Sequence, residues 1–129
     1  MLLFRGDEWF KELSPEKLQE LMDQSKAWID RLTAQGKVKG HQALRREGAV
    51  LSGGNRRVVS DGPFAESKEA IGGYLVVSAA SLAEAIALAQ ESPSLKYRTT
   101  IEVRPVAEEC PLDSRARELA DENLAKAAA

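Results

Sequence analysis

The chain has 129 residues, with 18 Lys+Arg against 20 Asp+Glu, a formal charge of −2, one His and one Cys. The length suits one domain with one sizeable core, and 43% hydrophobic with 29% charged residues excludes a disordered chain. A lone Cys excludes an internal disulfide, Cys and His together are too few for a protein-only zinc site, and the charge offers nothing to nucleic acid or an anionic membrane.

Residues 1–5 read as a first strand, punctuated by Gly6 and Asp7. Met1-Leu2-Leu3-Phe4 is apolar, but Arg5 and Asp7 follow at once, so no secretory signal is expected. Ser14-Pro15-Glu16 opens a helix: Ser caps, Pro is preset for the first turn, and Glu suits the dipole. Leu18, Leu21, Met22, Trp28, Ile29 and Leu32 then keep helical spacing, with a polar break at Ser25 and a stop at Gly36. The helix covers about residues 15–35, roughly 30 Å. A strand follows over Val38 to Leu44. Ala49-Val50-Leu51 and Arg56-Arg57-Val58-Val59 flank Gly53-Gly54-Asn55 as a hairpin, closed by a turn at Asp61-Gly62-Pro63-Phe64. Residues 65–70 are a charged loop or a single helical turn.

The window from Ile71 to Ala89 carries one charge, Glu84, and invites comparison with a membrane span. A strand over residues 72–78 and a helix from Ser81 to about Glu91 account for it better. Ser81-Leu82-Ala83-Glu84 is a capping box, and Leu82, Ala85, Ile86 and Ala89 make one face. Ser92-Pro93-Ser94 stops this helix, and Thr99 to Arg104 forms the last strand. Without the hairpin the order is βαββαβ, the ferredoxin-like unit. It is an α+β arrangement with two helices on one face of an antiparallel sheet. Residues 1–106 are read as the domain. Residues 107–129 are an Ala- and charge-rich extension, either a helix from Asp113 serving as an appendage or arm on a neighbouring subunit, or a frayed tail. A cytoplasmic location with Cys110 reduced is expected.

Side chains alternate along a strand, so Arg5 shares a face with Leu3, and Thr100, Glu102 and Arg104 share another. With first and last strands adjacent, Arg5 meets Glu102 or Arg104 on the sheet face away from the helices. One reading is a solvated cross-strand ion pair; the other is a polar patch in a cleft between two stacked sheets. Leu3, Tyr74 and Val76 make that face half apolar, which suits a partner sheet.

Asp61-Gly62-Pro63-Phe64-Ala65-Glu66-Ser67-Lys68-Glu69, then Ile71-Gly72-Gly73-Tyr74, resembles the DGPF-type branch of the YCII-related domain proteins. The Leu2-Leu3-Phe4 strand, Leu13-Ser14-Pro15-Glu16 and the closing Ile101-Glu102-Val103-Arg104-Pro105-Val106 extend the likeness over residues 1–106. The resemblance implies a ferredoxin-like fold of the dimeric α/β-barrel kind, a homodimer with its sheets packed together. In the YCII-type branch a His on the first helix and an Asp near the end of the second are regarded as a possible catalytic dyad. Here Ser25 and Glu91-Ser92-Pro93 stand at those places, so the dyad is not carried over. The resemblance also implies association with some extracytoplasmic-function sigma factors.

Asp61 to Phe64 has a structural reading as a rigid turn anchored by Phe64. Its functional reading makes Asp61 a pocket carboxylate, the candidate catalytic acid or base, with Glu66, Lys68 and Glu69 beside it. Arg5, Asp61, Phe64, Glu66, Lys68, Glu102 and Arg104 are the ligand-binding candidates; no metal and no cofactor are expected. His41 lacks a paired motif, Cys110 lacks a base, and Trp9 and Trp28 are packing residues. Three functions remain open: a regulatory or small-molecule-binding homodimer with a polar or anionic ligand in its cleft, a small cofactor-free enzyme using Asp61, and a protein partner of a transcription factor.

Overall fold

A computed structural model of the chain describes residues 1–6, 8–52, 57–61 and 70–129, with residues 52 and 57–61 described by their backbone alone. The strands are β1 (Leu2–Arg5), β2 (Val38–Ala43), β3 (Ala49–Ser52), β4 (Arg57–Asp61), β5 (Ile71–Val77) and β6 (Thr100–Val103). The α-helices are α1 (Pro15–Ala34), α2 (Leu82–Gln90) and α3 (Pro111–Ala128). Short 3-10 turns occupy Trp9–Glu12 and Pro93–Lys96, where the sequence suggested only connections.

Local chemistry sets the helix bounds. Ser14 Oγ accepts from the Lys17 N–H at 3.2 Å, and Pro15 begins α1 without losing a bond. At the other end Gly36 adopts φ +70. Its N–H donates to the Thr33 carbonyl and the Lys37 N–H to the Leu32 carbonyl, both at 2.9 Å, a Schellman closure that satisfies two orphaned carbonyls. In α2 the Glu84 N–H donates to Ser81 Oγ at 3.1 Å, and the Glu84 carboxylate accepts from the Ala80 N–H at 3.0 Å. The start of α3 departs from the sequence reading. It begins at Pro111 rather than Asp113, because Pro is already set for the first turn and the Asp113 and Ser114 N–H groups both reach the Cys110 carbonyl.

Four strands form one sheet in the order β2-β5-β1-β6, and every neighbouring pair is antiparallel. β3 and β4 pair separately as a two-stranded sheet. Leu2 and Leu75 stand directly opposite each other on β1 and β5, so they share a face. That face meets Trp28 and Leu32 of α1 and Leu88 and Ala89 of α2, with Phe4, Val77, Ile101 and Val103 packed around them. Leu2, Leu32 and Leu75 are fully buried, each contributing roughly 1.5–3 kcal/mol by removal from water. Both helices therefore cover one side of the sheet, and the mean plane's other side carries Leu3, Arg5, Tyr74, Val76 and Glu102.

The buried face of α2 matches only part of the one its periodicity suggested, with Ala89 buried and Ala85 half-buried as expected. Leu88 and Ala89 are buried, whereas Leu82 and Ile86 are 47% and 40% exposed. The helix is anchored at its C-terminal end, where the following 3-10 turn packs on α1, so its first turn projects past the core. The apolar window from Ile71 to Ala89 is divided between β5 and α2. Among the described residues no helix is long and apolar enough to cross a membrane. α3 buries none of its residues, and Leu112 and Leu124 are 79% and 69% exposed.

Candidate functional site on the open sheet face

β1 lies between β5 and β6, and its register decides which side chains meet. Arg5 is opposite Thr100 and Leu3 is opposite Glu102. Arg5 and Glu102 are therefore diagonal neighbours on one face, within reach for two long side chains. Arg5 Nη1 donates to Glu102 Oε2 at 3.0 Å. The side chains are 28% and 37% exposed, which leaves the pair open to solvent screening within one chain. Leu3, Tyr74 and Val76 are partly buried on the same face, so the ion pair sits at the edge of an apolar surface.

Of the two partners open to Arg5, the structure selects Glu102. Arg104 lies one residue beyond β6 and is exposed. Its backbone holds the sheet edge instead: its N–H donates to the Met1 carbonyl at 2.9 Å, and its carbonyl accepts from the Met1 ammonium at 2.6 Å. Partial burial holds that ammonium's pKa below its ordinary value. The Arg104 side chain lines a groove of about 400 Å³ with Val76, Leu82 and Val106.

Asp61 ends β4, its backbone paired with Ala49 in the two-stranded sheet, and the turn expected after it lies outside the described residues. Phe64, Glu66, Lys68 and Glu69 lie outside the described residues, as do Gly53, Gly54 and Asn55. The Gly6 N–H donates to the Ala70 carbonyl at 3.3 Å, which ties the residue after that segment to the end of β1. His41 is exposed on the edge strand β2, opposite Leu75 and so on the helical side of the sheet. Cys110 is an exposed free thiol. Among the described residues no cluster of three or more His, Cys, Asp or Glu is arranged to hold a metal ion.

Beyond Arg5 a cleft of about 760 Å³ opens at the end of β1 and β6, lined by Glu8, Trp9, Lys11, Arg98 and Thr100 among others. Trp9 stacks on Tyr97 with centroids 5.4 Å apart and planes at 12°. Thr99 Oγ1 donates to the Arg5 carbonyl at 3.2 Å and fastens β6 to β1 at this mouth. Glu8 pairs with Lys11, and Arg46 Nε lies 3.5 Å from its other oxygen. The hydrogen bond from Lys11, aided by the charges of Lys11 and Arg46, holds the Glu8 carboxyl below the ordinary carboxylate range. The sequence reading did not single out Glu8, Tyr97 or Arg98. Their only signal was an aromatic residue shortly after β1, Trp9, and another shortly before β6, Tyr97, and Trp9 alone was noticed, as packing.

The open face thus combines an apolar strip, one ion pair and a polar cleft at its end. No curated protein matches the sequence. The model of one family, described as the YCII-related domain, matches residues 7–109, most of the chain and all of the sheet except β1. By that match the chain belongs to the YCII-related domain family.

Proposed function

We propose that this protein is a small-molecule-binding or regulatory homodimer whose ligand sits between two stacked sheets, close to Arg5 and Glu102. The observation that carries the reading is the Arg5–Glu102 pair set beside partly buried Leu3, Tyr74 and Val76 on the face that neither α1 nor α2 covers. Stacking a second sheet there buries the apolar strip and strengthens the ion pair by excluding water. The antiparallel order β2-β5-β1-β6 with two helical crossovers is the arrangement expected of a ferredoxin-like subunit in a dimeric α/β barrel. In this reading the chain is of the DGPF-type branch, cytoplasmic, with its domain over residues 1–106, and Asp61, Phe64, Glu66, Lys68 and Arg104 are further ligand-binding candidates. The ligand is polar or anionic. Native mass spectrometry of freshly purified protein tests this: a dimer carrying extra small-molecule mass supports it, and a single chain removes the cleft.

A second reading rests on α3. Its exposed Leu112, Leu119 and Leu124 favour a protein contact, such as the transcription factor suggested by the family resemblance. An enzyme using Asp61 is a third reading. Asp61→Asn decides it: turnover or binding unchanged, with a loss of stability alone, leaves Asp61 a structural residue.

A further inference from the structure

None of the 18 residues of α3 is buried. Leu112, Ala116, Leu119, Ala120, Leu124 and Ala127 nonetheless keep helical spacing and gather on one side of it, an apolar stripe broken by Asp113 and Asn123. A helix of this length is marginal in water by itself and gains its stability by covering such a stripe. The groove lined by Val76, Leu82, Arg104 and Val106 has the matching character. Leu82 and Val106 are exposed there, and this chain's own α3 contributes nothing to its walls.

We propose that the groove receives α3 of a second copy of this chain, the two arms being exchanged across the stacked-sheet dimer. The inference rests on that dimer. Val76 stands on the open face of the sheet and Leu82 on α2, so the groove leads directly off the surface on which a partner sheet stacks. Reach is sufficient. The helix spans about 27 Å at 1.5 Å per residue, and the non-helical residues 104–110 add up to about 20 Å, against roughly 10 Å between stacked sheets. Charge points the same way. Among the described residues the Arg104 side chain makes no ion pair or hydrogen bond. Asp121 has none either, because Arg117, one turn away, pairs with Glu109. Asp121 lies three residues before Leu124 and so beside it on the helix surface. With Leu124 against Leu82 and Val106, the Asp121 carboxylate meets Arg104 at the rim. A cation and an anion without partners in one chain thus pair between two. The arm adds to the stacked faces and does not replace them.

The test is sedimentation equilibrium of full-length variants over a dilution series, with circular dichroism as the check on folding. Leu124 is exposed in the single chain, so Leu124→Arg leaves the subunit folded. It should raise the dimer dissociation constant at least about tenfold, as losing part of one buried leucine does. Arg104→Glu and Asp121→Lys should each weaken the dimer about three- to tenfold, since the pair occurs twice in a symmetric dimer, and the two together in one chain should restore it. A dimer that Leu124→Arg leaves as tight overturns the proposal, keeps the stacked sheets and leaves α3 to a different protein. A double variant no tighter than the single ones overturns it too. A wild type that stays a single chain removes the stacked sheets and the exchanged arms together.

Discussion

Arg5 and Glu102 are diagonal neighbours on adjacent antiparallel strands, 3.0 Å apart, on the sheet face that the helices leave open. Within a single chain the pair is screened, and a double-mutant cycle of Arg5→Met and Glu102→Met should give a coupling of about 0.2–1 kcal/mol by chemical denaturation under monomeric conditions. Under dimeric conditions the coupling should rise, because a stacked sheet removes the solvent that screens it. Equal coupling in both conditions means that the pair remains solvated.

The core prediction concerns Leu32, which is 1% exposed beneath Leu2 and Leu75. Leu32→Ala should lower stability by about 2–5 kcal/mol, read from the urea midpoint at constant slope. A smaller loss indicates that α1 collapses onto the vacated space.

Gly73 is required by packing rather than by an unusual dihedral. A Cβ there meets the Gln42 backbone carbonyl at 2.9 Å and the Ala43 Cα at 3.4 Å. Neither atom belongs to a flexible side chain, so Gly73→Ala must push β2 away from β5. Overpacking of this kind costs about 1–3 kcal/mol, and amide hydrogen exchange should rise first along β2.

Glu8 gives a pH dependence with a defined sign. Its pKa in the folded state lies below the ordinary 4.5, chiefly through the Lys11 hydrogen bond. The stabilisation is therefore present above 4.5 and is lost as pH falls through the lower folded value. Glu8→Gln should be less stable than wild type at neutral pH, with the difference in melting temperature closing under strong acid. A constant difference across that range assigns the effect to packing.

α3 buries no residue, and its ion pairs, Arg115 with Glu118 and Glu122 and Arg117 with Glu109, are local to the helix and its approach. Ending the chain at Glu109 should change the stability of a single subunit by no more than about 0.5 kcal/mol. Loss of the dimer on truncation instead identifies α3 as an arm on the neighbouring subunit.

The parts of the fold legible in the sequence are those governed by local chemistry. Ser14-Pro15 and Ser81 with Glu84 mark the starts of α1 and α2, and Gly36 marks a Schellman stop, because caps depend on neighbours a few residues away. Alternation along β1 and β6 placed Arg5 and Glu102 on one face, but register, a long-range property, was needed to choose Glu102 over Arg104. The face of α2 was legible only in part, Ala89 but not Leu82 or Ile86, because a nine-residue helix has too few turns for its period to outweigh how its end is anchored. Likewise, Trp28 was legible as a core residue, while its unpartnered Nε1 was not, since satisfaction depends on what surrounds the ring.

Stacking of the open faces is the central claim, and sedimentation equilibrium of the wild type beside Tyr74→Arg tests it most directly. Tyr74 is partly buried on that face and lies opposite Leu3, outside the core cluster. The account predicts twice the 14.1 kDa chain mass for the wild type, and a single chain with unchanged circular dichroism for the variant. A wild type that sediments as one chain at every concentration, or a variant that stays dimeric, contradicts it.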